Sequence, residues 1–298
     1  MILLTGASGF IGKHLLLLLI EKYGKENILA LTSKPISESP FLLHSNYQFE
    51  KDFFIKNGYK DINIIIHAGA YTPKKGSEAN DIELSNSNIG NTLKLLNAIL
   101  PKLKKFIFLS TLDVYDNEDK ISETTLEKPV SLYGHSKLYC ERMIEIWGKN
   151  CNIQVQILRI GHVYGPGEEA YQKIIPITFN KVLKNEATKI WGTGNELRSF
   201  IYIKDVAKAI INSIDLEENI GVVNIVSGHS ISMNELVKKI IFIAQIDVKT
   251  EKIETNIIGK SLVFDNSKML HYLLDKETNF DKGLKEEFQY MKTLTSNS

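Results

Sequence analysis

The sequence predicts an α/β fold: a doubly wound parallel sheet with a smaller, interleaved C-terminal lobe. Short apolar segments rich in β-branched residues alternate with helical patterns through the first half of the chain, as they do where helices connect parallel strands. A turn with three glycines joins the first apolar segment to the first helix. The 298 residues are 43% apolar and 24% charged, which suffices for a large core.

Five strands and three helices are predicted in the first half. Each strand is a short apolar run, and each helix has apolar residues at helical spacing. Ligands of such sheets bind at the carboxyl ends of the strands, so the residues that follow each strand are the candidate functional residues. The predicted strands are 2–5, 27–32, 63–67, 105–110 and 154–160, and the helices are about 10–23, 81–103 and 132–149.

The second half is less regular and contains no linker-like segment. The capping box Ser232-Met233-Asn234-Glu235 predicts the start of a helix that reaches about residue 244. We expect residues 1–165, with returns of the chain at about 198–228, to form the main domain, and residues 166–298 to form the smaller lobe. The other predicted elements are helices at about 170–185 and 204–215, and strands at 189–191, 199–203 and 222–226.

The charge balance and the cysteines exclude several classes of partner. The 36 basic and 35 acidic residues leave a net charge of +1, so neither a nucleic acid nor a membrane surface is an expected partner. The longest aliphatic run, 15–20, is far too short to cross a bilayer. The two cysteines, Cys140 and Cys151, have no metal-binding spacing and predict a reducing, cytoplasmic compartment without a metal site.

The glycine turn is typical of a site that holds the pyrophosphate of a dinucleotide. Gly6 permits the tight exit from the strand, Gly9 lets the backbone approach a phosphate, and Gly12 lets the helix pack closely. The N-terminus of the following helix favours an anion. The spacing, G-x-x-G-x-x-G, differs from the commoner G-x-G-x-x-G. The expected contacts in this turn are Gly6, Ser8, Gly9, Phe10, Ile11 and Gly12.

The ends of the second and third predicted strands, and a short apolar segment between them, contain the other candidate cofactor contacts. Many dinucleotide folds place an acidic residue after the second strand, where this chain has Thr32, Ser33 and Lys34. Two hydroxyls and an ammonium suit a 2′-phosphate, which favours NADP over NAD unless Lys34 is simply a solvated surface residue. Farther along the chain, Asp52 could accept a hydrogen bond from the adenine amino group, or lie in a surface loop. The remaining candidates are Phe53 and the small residues Ala68, Gly69 and Ala70, which would let the backbone pass close to a ribose.

The pair Tyr133 and Lys137 is the strongest catalytic signal. At i, i+4 the two side chains lie on one face of a helix, and a nearby ammonium is expected to lower the pKa of the phenol. A tyrosine of this kind can exchange a proton with a carbinol oxygen. Thr111, at the end of the preceding strand, could bind the same oxygen. Asp113 could be a proton-transfer base, or it could orient a sugar hydroxyl or cap a turn.

Together these residues resemble the extended short-chain dehydrogenase/reductase family, which acts on nucleotide-linked sugars with NAD or NADP. The resemblance implies a Rossmann-type sheet, a dinucleotide-binding main domain and a substrate-binding lobe over 166–298. It also implies that Tyr133 is the acid/base, that Lys137 holds the nicotinamide ribose, and that Arg198 contacts the diphosphate of the substrate. The helices at about 81–103 and 132–149 correspond to those that form a homodimer in the family, and Asn88 to an asparagine near the active site. Further matching segments are 88–92, 114–115, 158–159, 163–167, 198–207 and 224–228.

Departures from the family pattern separate the possible reactions. The 4,6-dehydratases carry an acid where this chain has Leu112, which disfavours dehydration; Asp113 matches their glutamate. We expect an NADPH-dependent reductase of a 4-keto, 6-deoxy sugar nucleotide, with an NAD-dependent sugar-nucleotide 4-epimerase as the alternative. A catalytically silent nucleotide sensor is a third possibility, against which Tyr133 and Lys137 argue. Asp116 replaces the usual glycine after Tyr115.

Overall fold

A computed structural model describes residues 1–116, 118, 120–255, 259 and 261–296. Strands and helices alternate as expected through the first half. The strands are β1 Ile2–Thr5, β2 Ile28–Thr32, β3 Phe41–Leu43, β4 Ile64–His67, β5 Lys105–Thr111, β6 Gln154–Ile160, β7 His162–Tyr164, β8 Thr188–Trp191, β9 Leu197–Tyr202, β10 Val223–Ile225, β11 Ser230–Ser232 and β12 Thr250–Ile253. The helices are α1 Phe10–Tyr23, α2 Phe53–Lys56, α3 Ile82–Leu96, α4 Leu132–Cys151, α5 Ile174–Leu183, α6 Ile203–Ile214, α7 Met233–Ala244, α8 Ser267–Tyr272 and α9 Phe280–Ser296.

Seven strands form one sheet in the order β3-β2-β1-β4-β5-β6-β10, and every neighbouring pair is parallel. The order reverses beside β1, as in a doubly wound nucleotide-binding sheet. Successive strand residues point to opposite faces: Leu4 packs in the core beneath α1 and α6, and Leu3 in the core beneath α3 and α4. The predicted Rossmann-type fold is therefore confirmed.

The smaller lobe is interleaved with the main sheet. β7, β9 and β11 form a three-stranded sheet, β8 and β12 pair in parallel, and α5, α7 and α9 pack on one another. β10 returns to the main sheet beside β6. The capping box is present: the Ser232 hydroxyl accepts the Glu235 N–H, and Glu235 accepts the Ser232 N–H.

Several predicted boundaries differ from the structure. The helix predicted over 81–103 ends at Leu96, because Pro101 would clash with the carbonyl of Asn97 if the helix continued. The helix predicted at about 170–185 begins at Ile174, after a 3-10 turn over Glu168–Ala170. The sequence does not predict β3, β7 or β12, because each has only three or four residues and so leaves little pattern. In the part of the chain that is described, no helix combines the length and apolar character needed to cross a bilayer.

Candidate active site

The carboxyl ends of β4, β5 and β6 open into one cleft of about 380 Å³. Its walls include the first residues of α1, the residues after β4 and β5, the start of α4, and a segment of the smaller lobe ending at Lys173. The fold thus brings the glycine turn, the Tyr-Lys pair and the strand-end hydroxyl to one place, as the parallel sheet predicts.

The glycine turn has the geometry that a pyrophosphate requires. Gly6 has φ +72°, and a Cβ there would lie 2.6 Å from Cα of Gly69. A Cβ at Gly12 would lie 2.0 Å from the Gly6 carbonyl oxygen, so α1 can begin this close to the strand only with glycine. No side chain caps the N-terminus of α1 at Gly9, and no acidic residue occupies its first turn. These backbone N–H groups fit an anion such as a dinucleotide pyrophosphate.

Of the three residues at the end of β2 and after it that the sequence suggests for a 2′-phosphate, Thr32 has partners within its own turn. Thr32 is buried, and its Oγ1 lies 3.0 Å from Oγ of Ser8 and 3.1 Å from the Lys34 carbonyl oxygen. The hydroxyl of Thr32 also accepts the Lys34 N–H at 3.3 Å. Thr32 therefore stabilises its own turn, whereas Ser33 and Lys34 are exposed. This arrangement gives no particular support to NADP.

Asp52 and Phe53 lie outside the cleft. Asp52 precedes α2 and pairs with Lys56 at 2.9 Å, and the Phe53 ring stacks on Phe49 with centroids 5.0 Å apart. Tyr47, which the sequence reasoning missed, lies closer to the glycine turn: its hydroxyl donates to the Gly69 carbonyl at 2.9 Å. An isolated aromatic residue in an irregular segment gives no sequence signal for that position.

Tyr133 lies in the first turn of α4 and is buried at the cleft. Gly134 makes this position possible, because a Cβ there would lie 2.2 Å from the Asp113 carbonyl oxygen. The side chains of Thr72 and Thr111 lie near the Tyr133 hydroxyl and act to lower its pKa. Burial and then the charge of Asp113 raise the Tyr133 pKa above its ordinary value. The expectation of a lowered pKa is therefore wrong for the protein without its cofactor.

Lys137 lies one turn along the same face of α4 and is also buried. Its Nζ donates to the Leu109 carbonyl at 2.6 Å and lies 4.2 Å from the centre of the Phe108 ring. Burial lowers the Lys137 pKa to about 8, and Cys140 and Glu141 act in the opposite direction. The ammonium is thus directed to the end of β5, at the floor of the cleft.

Thr111 is the last residue of β5, and Asp113 lies two residues beyond it. The Thr111 hydroxyl accepts the Asp113 N–H at 3.2 Å, and Thr111 lines the cleft together with Tyr133. Asp113 faces solvent within the cleft, yet the surrounding protein raises its carboxyl pKa, an effect that Lys173 opposes. Leu112, between them, is buried against Val114 and its neighbours.

The wall opposite α4 contains Lys173 and His162, whereas Arg198 is not among the residues that line the cleft. Lys173 Nζ lies 3.4 Å from Oε1 of the buried Glu168 and 3.4 Å from the Val163 carbonyl oxygen. Burial, with the positive charges of Lys173 and Arg198, lowers the His162 pKa to about 4. Arg198 is half-buried on β9, and burial lowers its pKa. The sequence does not single out Lys173 or His162. The only sequence signals for a functional position are that Lys173 lies within 166–198 and that His162 closely follows β6.

Two other predicted features have structural partners. Asn88 is buried; its Oδ1 accepts the Tyr71 N–H at 2.8 Å and its Nδ2 donates to Ser136 at 3.3 Å, so it joins the residues after β4 to α4. Asp116, which replaces the usual glycine, pairs with Lys128 at 3.3 Å.

The sequence is similar to proteins that transform nucleotide sugars. The sequence model of the NAD-dependent epimerase/dehydratase family matches residues 2–226. An uncharacterized UDP-glucose epimerase of Bacillus subtilis is 31% identical over 98% of both chains. A dTDP-D-glucose 4,6-dehydratase of Dictyostelium discoideum is 32% identical over 269 residues, which is 82% of this chain and 62% of that protein's length.

A solved structure has the same fold over nearly the whole chain. UDP-glucuronic acid 4-epimerase from Bacillus cereus, in complex with NAD, superimposes with a TM-score of 0.84 at 26% identity. The alignment covers 98% of this chain and 99% of that one.

Proposed function

Because the chain belongs to the NAD-dependent epimerase/dehydratase family, we propose that it is an NAD-dependent 4-epimerase of a UDP-linked sugar. It is an enzyme of the sugar-nucleotide epimerase/dehydratase class. The relatives include both epimerases and dehydratases, so the reaction must be assigned from the cleft itself.

The residue at position 112 carries the proposal. The 4,6-dehydratases place an acid there to protonate the departing hydroxide, and this chain has a buried leucine. An apolar side chain cannot donate that proton, which disfavours dehydration. The Thr32 hydroxyl bonds Ser8 and its own turn, which weakens the argument for an NADPH-dependent reductase, whereas the Bacillus cereus epimerase binds NAD. Epimerisation, the alternative reading of the sequence, is thus better supported than reduction.

The proposed reaction inverts C4 of the sugar through a 4-keto intermediate. Bound NAD would supply the hydride acceptor and donor, and in its oxidised form a positive charge. Thr111 would bind the C4 oxygen, and Tyr133, which lines the same cleft, would exchange the proton with it. Lys137 would hold the nicotinamide ribose, while Asp113 would orient a sugar hydroxyl from the cleft wall.

The two parts of the chain would divide the binding. Residues 1–165, with the strand and helix that return at about 198–228, would bind the dinucleotide. Residues 166–298 would bind the nucleotide sugar. Arg198 and Lys173 supply positive charge on that side of the cleft, as a diphosphate requires. We also propose a cytoplasmic location, because both cysteines are free thiols.

Interconversion of UDP-sugars without added cofactor tests the function. Purified protein is incubated with UDP-glucose, UDP-galactose or UDP-glucuronic acid, and the anomeric protons are followed by NMR. The expected result is the C4 epimer of one of these sugars, with NAD released on denaturation, and no turnover by Tyr133→Phe. A 4-keto-6-deoxy product, or consumption of NADPH with a 4-keto substrate, would contradict the proposal.

We further propose that a second copy of the chain covers α3 and α4. Large apolar side chains are exposed on both helices, and a surface hollow of about 690 Å³ lies between them. Ile82 and Leu93 lie on α3, and Tyr139 and Ile146 on α4. Tyr139→Glu should convert a dimer to a monomer in sedimentation, whereas Phe242→Glu, a change at a still more exposed aromatic residue on α7, should not. A monomeric wild type would contradict this proposal.

A further inference from the structure

Helix α4 carries a third buried polar residue on the face of Tyr133 and Lys137. Glu141 lies one turn beyond Lys137 and is completely buried. Its Oε1 accepts hydrogen bonds from the Ser110 hydroxyl and from Arg159 Nε, the latter at 3.1 Å. Its Oε2 accepts Arg159 Nη2 at 2.7 Å. A buried carboxylate with this many charge-assisted bonds has one well-defined position.

These bonds connect the elements that form the reaction site. Ser110 immediately precedes Thr111 on β5, and Arg159 is the register partner of Ser110 on β6. Glu141 therefore fixes α4, with Tyr133, relative to the strand end that carries Thr111.

Arg159 is itself held from a second direction. Its Nη1 donates to the Tyr115 hydroxyl at 2.6 Å, and its Nη2 donates to Glu127 at 2.8 Å. The Tyr115 hydroxyl donates in turn to Asn224 on β10 at 3.0 Å. The guanidinium is wholly buried and its charge is matched by two carboxylates, so the group is rigid.

We propose that Glu141 is a positioning residue of the epimerase: it holds the Tyr133 face of α4 against β5 and keeps a negative charge beside Lys137. The proposal rests on the roles proposed above for Tyr133 and Lys137. The motif that contains Arg159 then has a function, which is to orient the Glu141 carboxylate.

The charges around Lys137 explain why this carboxylate matters. Burial of Lys137 disfavours its ammonium, and on its own helix Cys140 and Glu141 favour it. Across the sheet His67 faces Lys137 and is neutral, because burial lowers its pKa to about 3. Tyr133, one turn back, is a neutral phenol. Arg159, on β6, is positive and bonded to both oxygens of Glu141, so it partly offsets the effect of that carboxylate. Glu141 favours protonated Lys137, and its removal would leave the positive charge of Arg159.

Glu141→Gln separates an electrostatic role from a merely structural one. Removal of the carboxylate should lower the Lys137 pKa, so the alkaline limb of the kcat/KM profile should move down by about one pH unit. A second readout uses the cofactor-free protein: competitive labelling of Lys137 with acetic anhydride, read by mass spectrometry across pH. The labelling curve should move in the same direction by a similar amount.

Three further variants provide the controls. Glu127→Gln removes another carboxylate bonded to Arg159 and should not shift the alkaline limb of the kcat/KM profile. Ser110→Ala retains the Glu141 charge but breaks its bond to β5, and should lower kcat by about tenfold or more with little change in KM or in the limb. Ser213→Ala, which removes a buried hydroxyl on α6, should change neither kcat nor the position of the alkaline limb.

Two results would contradict the proposed role of Glu141. An unchanged limb and labelling curve in Glu141→Gln, with lost stability alone, would overturn the proposal. If Glu141→Gln does not fold, wild-type kcat in Ser110→Ala overturns it. If wild-type protein shows no epimerase activity, the proposed function fails, and the labelling curve still tests the effect of Glu141 on Lys137.

Discussion

Replacement of Glu287 by glutamine should stabilise the protein at neutral and alkaline pH. Glu287 lies on α9 with no solvent exposure, and neither carboxylate oxygen has a hydrogen-bond partner among the described residues. Burial, followed by the charges of Glu168 and Glu169, raises its pKa to about 8. Glu168 is also buried, and its pKa is raised to about 7, mainly by burial.

The size of the effect follows from proton linkage. The ordinary pKa of the carboxyl is 4.5, so between pH 4.5 and about 8 the folded protein binds a proton that the unfolded chain releases. Stability of the wild type therefore falls as pH rises through that window. Each pH unit corresponds to about 1.4 kcal/mol, so by pH 7 the loss approaches about 3 kcal/mol. Glutamine resembles the protonated carboxyl and does not incur that loss.

Thermal unfolding at several pH values tests this prediction. The Tm of Glu287→Gln should exceed that of the wild type by several degrees at pH 8 and match it near pH 4. The neighbouring Glu286 is a matched control whose pKa is shifted in the opposite direction, because hydrogen bonds from Lys204 and Tyr202 lower it. Glu286→Gln should therefore destabilise the protein at pH 7, and less so at low pH. A Tm difference for Glu287→Gln that does not grow with pH would refute the reasoning.

Three predictions concern the cleft. Tyr133→Phe should lower turnover by ~10²–10⁴-fold while NAD still binds, as measured by titration; more than about a tenth of wild-type activity would exclude Tyr133 as the acid/base. Lys137→Ala should weaken NAD binding and lower turnover together, and a loss confined to turnover would exclude a ribose contact. Wild-type protein should bind NAD at least as tightly as NADP, and the double change Ser33→Asp, Lys34→Ala should alter that ratio by less than about tenfold, which is under ~1.4 kcal/mol. A strong preference of the wild type for NADP would favour the NADPH-dependent reductase over the epimerase.

The main sheet is predictable from the sequence because its strands are buried on both faces. Runs such as 2–5 and 28–32 are almost wholly apolar or β-branched, and turns or helices interrupt them on both sides. The smaller lobe is less predictable for the same physical reason. β12 has the sequence Thr-Glu-Lys-Ile, lies in a two-stranded sheet and is half-exposed, so its pairing with β8 leaves little pattern in the sequence.

Local motifs of the site are predictable, but contacts across the fold are not. The glycine turn and the spacing of Tyr133 and Lys137 are properties of short segments. The position of Lys173 opposite Asp113 depends instead on how the smaller lobe meets the sheet. Thr32 shows the converse: its residue type suits a phosphate, but the fold uses its hydroxyl to bond Ser8 and its own turn.

The Tyr133 pKa shows most clearly why residue spacing does not determine chemistry. The i, i+4 relation correctly places Tyr133 and Lys137 on one face of α4, but a lysine has a flexible four-carbon chain and several acceptors within reach. Its ammonium donates to the Leu109 carbonyl, and the charge that acts most on the phenol is that of Asp113, which disfavours the phenolate. The chain alone therefore keeps Tyr133 protonated. It can accept a proton from a sugar hydroxyl only after positive charge has been added beside it.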